Sequence, residues 1–379
     1  MLLVLLMSGV LFSAWRIVRE RRTGRGWCLP CLLALAGAVL GCPLIGGGWT
    51  PHVGVSRSDL GLQRSIVLEL PEEIFDLVWE ETADSGGGPA ALLVVTAGGA
   101  YRLDRDSGER SQVVRFQIEE SVFRARTARS ALSGERSYAG LAWRRNGSPS
   151  LVVFDDAGRL EGEIPDVSSE FAFGSFGGGE LKVAVERSDG KSVGIFGLSG
   201  HRAEVLSFPL YVADLGVVDP RADGVADLLV YLYPNRDGGG TFQVRGGGWR
   251  AEPWDVPAFS SFSVLPAETS RPRVLYPVRD GFAIADYGSP PQEILGCPDA
   301  HRFAYTHAAF AGDFLMVLVS GGGYLSAHML CLFDGEGRLV YREVGEGHAY
   351  DLLPVSEGDA AAFLVPVGSR VVRYEVPGG

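Results

Sequence analysis

The stretch best suited to binding a metal ion lies between Asp219 and Asp227, where carboxylates recur at every fourth position. Asp219, Asp223 and Asp227 offer hard oxygen ligands of the kind that Ca²⁺ prefers. The third position of the run is Arg221, which places a cation where a further carboxylate is needed. The run therefore predicts a turn that holds no metal, and a Ca²⁺ site is the alternative.

Three other groups of residues are weaker candidates for chemistry. They are the glycine clusters, such as Gly86–Gly88 and Gly321–Gly323, the histidines His301, His307, His328 and His348, and the carboxylate pairs Glu72-Glu73 and Glu80-Glu81. No glycine cluster follows a strand-like run and opens a helix, and none carries the Gly-Lys-Ser/Thr of a phosphate loop. The histidines lack the close spacing that is typical of zinc ligands. The sequence thus contains no catalytic constellation and predicts a protein that is not an enzyme.

Cys42 is a candidate for lipid attachment. Five arginines between Arg16 and Arg25 precede an apolar run, Trp27–Leu40, in the order of a secretory signal. Val39-Leu40-Gly41-Cys42 resembles the lipobox of bacterial lipoproteins, which implies cleavage before Cys42 and acylation of that residue. The alternative is a transmembrane anchor over Trp27–Trp49. Either way, we expect the body of the chain to be exported and held on the extracytoplasmic side of a membrane, in the periplasm or at the cell surface.

The charge of the chain limits its partners. The net charge is −12, and the residues after Cys42 carry 29 basic and 45 acidic side chains, or −16. Such a surface opposes nonspecific binding to nucleic acid. The one basic region contains Arg124, Arg126, Arg129, Arg136, Arg144 and Arg145, and it could receive an acidic partner or a glycan.

The body of the chain is a repeat of strand-like units. An aromatic residue opens each unit, at Phe75, Phe123, Phe171, Tyr211, Phe259, Tyr305 and Tyr350, with spacings of 40 to 48 residues. Each unit has the order strand, loop, strand, tight turn, strand, turn, strand, and no sustained helical period follows Cys42. Units of this length with four strands are typical of β-propeller blades. We therefore predict an all-β fold, a seven-bladed β-propeller over residues 64–379, after a signal with an upstream apolar segment (1–42) and a tether (43–63).

The loop in the fourth unit supports this architecture. Asp219-Pro220-Arg221-Ala222-Asp223-Gly224-Val225-Ala226-Asp227, followed by Leu228-Leu229-Val230, resembles the FG-GAP or VCBS repeat of integrin-like propellers. The resemblance implies a propeller fold and, in the family, Ca²⁺ at the acidic positions. The other units lack the acidic run, so the resemblance predicts the fold more strongly than the metal.

The ring is predicted to close through its N-terminal strand. The seventh unit contains only three strands, and Ser65–Pro71 reads as an unpaired strand with Ile66, Leu68 and Leu70 on one face. We expect this strand to pair antiparallel with Val371–Val376 and so hide two strand edges.

Ring closure also predicts a polar wall on the propeller axis. The residue after each marker aromatic is expected to line the channel: Asp76, Arg124, Ala172, Val212, Ser260, Thr306 and Asp351. Asp351, Asp76 and Arg124 belong to consecutive blades, so Arg124 should lie between the two carboxylates and neutralise them. These three residues are the predicted ligand-binding site.

Taken together, these patterns favour a monomeric binding or scaffolding module that recognises a protein or glycan at the cell envelope. An envelope enzyme with an axial active site and a Ca²⁺-dependent adhesion module are the alternatives. Cys297 and Cys331 are the only cysteines after Cys42, and they could form a disulfide in an oxidising compartment unless their Cα atoms lie more than about 7 Å apart.

Overall fold

The structure is a computed structural model, and the strands it describes belong to the unit His52–Gly379. It describes residues 53–377 except 82–88, 105–106, 144–148, 176–178, 219–225, 234–238, 246–252, 257–258, 260, 266–272, 287–288, 292, 322–325 and 358–359. The predicted signal with Cys42, and the acidic positions Asp219 and Asp223, lie outside these residues. Within them, no helix is long and apolar enough to span a bilayer. The only helical element there is a single 3₁₀ turn, Ala300–Arg302.

Twenty-nine strands in the described residues form seven antiparallel sheets, which are the seven predicted blades. Blade 1 contains β3 (Ile74–Glu81), β4 (Pro89–Thr96), β5 (Gly99–Asp104) and β6 (Arg110–Arg115). Blade 2 contains β7 (Val122–Arg129), β8 (Arg136–Trp143), β9 (Pro149–Phe154) and β10 (Leu160–Pro165). Blade 3 contains β11 (Val167–Ser175), β12 (Leu181–Arg187), β13 (Ser192–Gly197) and β14 (Arg202–Ser207). Blade 4 contains β15 (Tyr211–Val218), β16 (Asp227–Tyr233), β17 (Gly240–Arg245) and β18 (Trp254–Val256). Blade 5 contains β19 (Ser263–Leu265), β20 (Arg273–Val278), β21 (Gly281–Asp286) and β22 (Glu293–Gly296). Blade 6 contains β23 (Tyr305–Ala311), β24 (Phe314–Ser320), β25 (Ala327–Phe333) and β26 (Leu339–Glu346), together with the N-terminal strand β1 (Gly54–Ser58). Blade 7 contains β27 (Leu353–Glu357), β28 (Ala360–Val367) and β29 (Arg370–Glu375), together with the N-terminal strand β2 (Gln63–Glu69).

The middle strands of each blade are apolar on both faces because both faces pack against neighbouring blades. Every residue of β25 is buried, and β24 is buried beyond its first residue. The outermost strands β6 and β10 bury only occasional residues, since one side of each faces solvent. Middle strands that are apolar along their whole length, followed by a largely exposed outer strand, are therefore the sequence pattern of these blades.

The turns between the last two strands of blades 2 and 6 use one capping design. Asp155 Oδ1 accepts the backbone N–H groups of Ala157 and Arg159, and Gly158 takes a left-handed backbone with φ +78°. In blade 6, Asp334 Oδ1 accepts N–H groups in the same way, and Gly337 has φ +74°. Asp and Gly are the residues that supply these bonds and this backbone conformation, so the predicted turns are confirmed.

The N-terminal strand closes the ring, as predicted. Strand β2 pairs antiparallel with β29, with Ser65 opposite Arg373 and Glu69 opposite Arg370. A bulge between Ile66 and Leu68 changes which residues face the core. Leu68 and Leu70 are buried, but Ile66 is 55% exposed, so the prediction that all three share a buried face is wrong at Ile66.

Part of the predicted tether is a strand. Gly54–Ser58 forms β1, which pairs with β26 on the outer edge of blade 6 before the chain crosses to blade 7. The N-terminal segment thus contacts two adjacent blades and covers the outer edge of each.

A disulfide joins Cys297 and Cys331. Cys297 follows the last strand of blade 5, and Cys331 lies within β25 of blade 6, so the bond connects neighbouring blades. Both residues are fully buried, and their Cα atoms are 7.1 Å apart, at the limit set from the sequence.

Candidate functional site

The first strands of blades 1 to 6, together with Tyr350 just before the first strand of blade 7, face a cavity of about 290 Å³ on the ring axis. All seven blades contribute to its wall, through β3, β7, β11, β15, residues 261–264, β23 and Tyr350. Of the residues predicted to line the channel, Asp76, Arg124, Ala172 and Thr306 do so. Val212 packs instead in an apolar cluster, and its place is taken by Asp214. Ser260 lies outside the described residues.

Carboxylates near the axis join three pairs of adjacent blades. Asp351 Oδ2 accepts the backbone N–H of Leu77 at 2.8 Å, and Asp76 Oδ2 accepts that of Thr127 at 2.8 Å. In blade 4, Asp214 Oδ2 accepts a backbone N–H from blade 5 at 3.1 Å. These aspartates therefore have a structural role, because they satisfy backbone donors of the neighbouring blade that water cannot easily reach.

Arg124 does not lie between Asp76 and Asp351, contrary to the prediction. Strand β7 has a bulge after Phe123, and Arg124 adopts a left-handed backbone with φ 56°. Gly140 faces this bulge on β8, where an added Cβ would collide with Val122 and approach Ala125. The bulge redirects the Arg124 side chain toward blade 3, which single-sequence patterning could not reveal.

Arg124 forms a two-point ion pair with Glu170 of blade 3. Its Nη1 and Nη2 atoms donate to the two carboxylate oxygens at 2.8 and 2.7 Å, and both side chains are largely buried. The guanidinium also lies over the Tyr305 ring, 4.9 Å from its centroid. Burial lowers the pKa of Arg124, but the charge and hydrogen bonds of Glu170 outweigh burial and raise that pKa above its ordinary value. Arg124 is therefore a fixed cation in the wall.

Arg126 takes the position predicted for Arg124. Its Nη1 lies 3.3 Å from Asp76 Oδ1 and 4.0 Å from Asp351 Oδ1, so the two carboxylates are neighbours that share one cation. Its Nη2 donates to the backbone oxygen of Tyr350 at 3.5 Å. With 29% of its side chain exposed, Arg126 is more open to the cavity than Arg124, at 17%.

Two aspartates in the wall retain protons unusually well. Burial, together with the nearby Asp351 charge, raises the pKa of Asp76 to about 7, although Arg126 acts in the opposite direction. Burial and the charge of Glu170 likewise raise the pKa of Asp214 to about 7. The net charge of the cavity therefore changes near neutral pH.

His307 is the group in the wall that is best placed to meet a ligand. It is half-buried on β23, and its ring has no hydrogen-bond partner among the residues the structure describes. Burial lowers its pKa well below the ordinary value, and the charges of Arg126 and Arg124 lower it further. The imidazole is therefore neutral at pH 7 and can both donate and accept a hydrogen bond.

Sequence reasoning missed Asp214 and His307 as wall residues, and it missed Glu170 as the ion-pair partner of Arg124. Each lies one to three residues away from a position that the aromatic markers assigned to the axis, and bulges in β11 and β15 account for the shifts at Glu170 and Asp214. A search for polar residues within three positions of each marker would have found all of them.

In the described residues, no group of three or more His, Cys, Asp or Glu side chains is placed to hold a metal ion. Asp227, the last acidic position of the FG-GAP-like loop, is buried at the start of β16. The remaining acidic positions of that loop lie outside the described residues, so the prediction that the loop holds no metal, and its Ca²⁺ alternative, are not tested.

Two solved structures with TM-scores above 0.5 support the fold. No protein-family model matches the chain, and no curated protein matches it. The crystal structure of BBS1N in complex with ARL6DN, soaked with lead, is similar at a TM-score of 0.52 and 12% identity, covering 84% of this chain and 97% of that one. The mercury-soaked form has a TM-score of 0.51 and 10% identity, covering 86% and 97%. The AfRom2 CNH domain has a TM-score of 0.48 and 12% identity, covering 82% and 98%.

Proposed function

We propose that this protein is an exported, lipid-anchored β-propeller that serves as a binding or scaffolding module at the cell envelope. The observation that carries the proposal is the axial cavity, whose wall brings two fixed arginines and a neutral, unpartnered His307 to one place. A few polar side chains in the wall of a pocket can bind and orient a ligand without catalysing a reaction. The signal pattern ending at Cys42 supports the location, and the FG-GAP-like loop supports the kinship with integrin-like propellers.

Exposed aromatic residues near one mouth of the cavity favour a macromolecular partner. All blades are built in the same order, so the N-terminal ends of their first strands lie on one side of the ring, which we call the entry face. Trp143, stacked on Phe123, is 56% exposed there, and the cross-strand pair Tyr211 and Tyr233 is 54% and 41% exposed. Aromatic side chains of this kind are enriched at protein interfaces. The solved propeller BBS1N, in complex with ARL6DN, gives a precedent for protein recognition by this fold.

The proposal is tested by affinity capture of the tagged protein from envelope extract. Wild type should enrich a specific protein or glycan, and Trp143→Ala or His307→Ala should reduce the recovery. Leu132→Ala is the matched control, because Leu132 is 69% exposed at the end of the ring opposite the entry face. No enrichment over an unrelated propeller, or equal recovery with all three variants, would contradict the proposal.

An envelope enzyme remains the second candidate, because the raised pKa of Asp76 and of Asp214, about 7 in each case, would suit acid–base chemistry in the cavity. Against it, oxygens of each carboxylate accept backbone N–H bonds that hold the ring together. Turnover of any envelope metabolite that is abolished by His307→Ala would favour the enzyme.

A further inference from the structure

Three arginines converge on a single carboxylate between blades 1 and 2. Arg102 Nε lies 2.8 Å from Glu80 Oε2, while Arg136 Nη2 and Arg129 Nη2 lie 3.2 and 3.6 Å from Glu80 Oε1. The four residues stand on β3, β5, β7 and β8, so the sheets of two blades fix their positions. Glu80 and Arg129 lie at the C-terminal ends of the first strands, on the exit face of the ring, opposite the entry face.

The group, which we call the Glu80 cluster, carries more positive charge than its carboxylate can neutralise. Three guanidiniums and one carboxylate sum to +2 in a chain whose net charge is −12. Among the described carboxylates outside the cluster, Asp76 acts on Arg136, but it is already held by Arg126 and by the backbone of Thr127. Burial and the charge of Arg129 lower the pKa of Arg136, as expected where cations are crowded.

The cluster has a buried floor and an accessible rim. The side chains of Glu80 and Arg136 are only 9% and 10% exposed, whereas those of Arg102 and Arg129 are 51% and 54% exposed. A guanidinium carries five N–H donors, and one nitrogen of each rim arginine contacts Glu80. The rim arginines thus direct further donors toward solvent from a site where burial weakens the screening of charge.

We propose that the Glu80 cluster binds a doubly charged oxyanion, a phosphate or sulfate group. Such a group matches the surplus charge of +2, and its tetrahedral oxygens suit the forked donors of two arginines. The strands of two blades hold the guanidiniums in place before the anion arrives, so little ordering remains to be done on binding. The site lies at the rim of the exit face, and it does not depend on the axial cavity.

The test is a titration of the purified full-length protein with inorganic phosphate against chloride at constant ionic strength and pH 7.5. We expect a saturable rise in Tm, since a ligand that binds only the folded state stabilises it. Arg129→Gln should weaken the apparent affinity about tenfold, because hydrogen bonds to charged groups are of that strength. Arg115→Gln is the control: it removes the same charge from an exposed position on β6, opposite Gly99 at the far end of β5.

Glu80→Gln distinguishes the site from a purely structural ion cluster. Removing the internal carboxylate raises the surplus to +3, so phosphate should bind more tightly and raise the Tm of this variant more than that of wild type. A structural cluster would only lose stability, with no gain in phosphate affinity. A parallel titration with methyl phosphate separates free phosphate from the terminal group of an ester. The proposal is overturned if Arg129→Gln and Arg115→Gln respond to phosphate alike, or if Glu80→Gln binds it no better than wild type.

Discussion

Asp76 couples the stability of the ring to pH through its position beside Asp351. With its pKa raised to about 7, folded Asp76 keeps a proton that the unfolded chain releases near pH 4. The folded state therefore binds more protons between about pH 4 and 7, and this contribution to the free energy of unfolding falls by up to about 1.4 kcal/mol per pH unit as pH rises. Asp76→Asn should remove that slope in urea unfolding measured from pH 4 to 8.

Asp334 provides a control of opposite sign for the pH experiment. Its hydrogen bonds with Arg338 lower the pKa of the carboxyl, so Asp334 stabilises the fold above its ordinary pKa and loses this effect as pH falls. Asp334→Asn should therefore reduce the loss of unfolding free energy at acid pH, and it should leave the pH dependence near neutrality unchanged. If wild type and Asp76→Asn show the same pH dependence, the buried-proton account of Asp76 is wrong.

The pair of Arg124 and Glu170 should show strong energetic coupling. Arg124→Met leaves a largely buried carboxylate without its cation, at a cost of about 3 kcal/mol, whereas adding Glu170→Gln should recover much of that loss. A double-mutant cycle by urea unfolding measures the coupling. A coupling energy below about 0.5 kcal/mol would mean that the pair adds nothing beyond surface ion pairs.

At the residue scale, the sequence predicted that polar groups line the axis but not how they pair. Asp76 and Asp351 could be placed as neighbours because ring closure makes blades 7 and 1 adjacent. The choice of Arg126 over Arg124 depends on a left-handed residue in β7, and no local pattern near Phe123 requires one. The bulge is stabilised by its packing against Gly140 on the next strand and by the ion pair between Arg124 and Glu170. Both contacts form only in the folded structure, so the local sequence does not reveal them.

At the element scale, the closing strand β2 offers a test of the bulge that sequence patterning missed. Leu68 is buried against Leu70 and Val371, so Leu68→Ala should cost about 2–3 kcal/mol in the free energy of unfolding. Ile66→Ala is the matched control, because that side chain is 55% exposed and its loss should cost under about 0.5 kcal/mol. Equal losses in thermal or urea unfolding would contradict the observed register.

The disulfide should stabilise the junction of blades 5 and 6. The closed loop of 34 residues corresponds to about 4 kcal/mol in the chain-entropy account. Reductant should lower the Tm of wild type, while Cys297→Ala/Cys331→Ala should start lower and show no response. Peptide mapping without reduction would reveal the linked fragments, and free thiols in the protein isolated from its native compartment would contradict the bond.

Strand positions could be predicted from the sequence, whereas strand registers could not. The middle strands are recognisable because they are apolar on both faces, and the capped turns because Asp and Gly recur at fixed places. Strand β1 was missed because all five of its residues are exposed, so no burial pattern distinguishes it from a tether. Its pairing depends on the edge that β26 presents and not on its own side chains.

For the whole molecule, the number of blades could be predicted because it follows from a count of repeats. Seven aromatic residues mark seven repeat units, and the seventh unit lacks its fourth strand. A distant segment must therefore supply that strand, and β2 does so. Function could not be predicted in the same way, since the contacts that make the cavity and the Glu80 cluster arise between blades. Such contacts join residues about 50 positions apart, including Glu80 with Arg129 and Arg126 with Asp76.

The attachment of the molecule to its membrane is the prediction that decides where all these sites operate. If Val39–Cys42 is a lipobox, mass spectrometry of the mature protein should find its N-terminus at Cys42, increased in mass by acyl chains. Cys42→Ser should then release no mature form and leave the signal uncleaved, whereas Cys28→Ser, within the same apolar run, should be processed normally. Two acyl chains give stable anchoring where one gives only marginal binding, so detergent should be needed to extract wild type. An N-terminus before Trp27 on the membrane-bound protein would instead identify a transmembrane anchor.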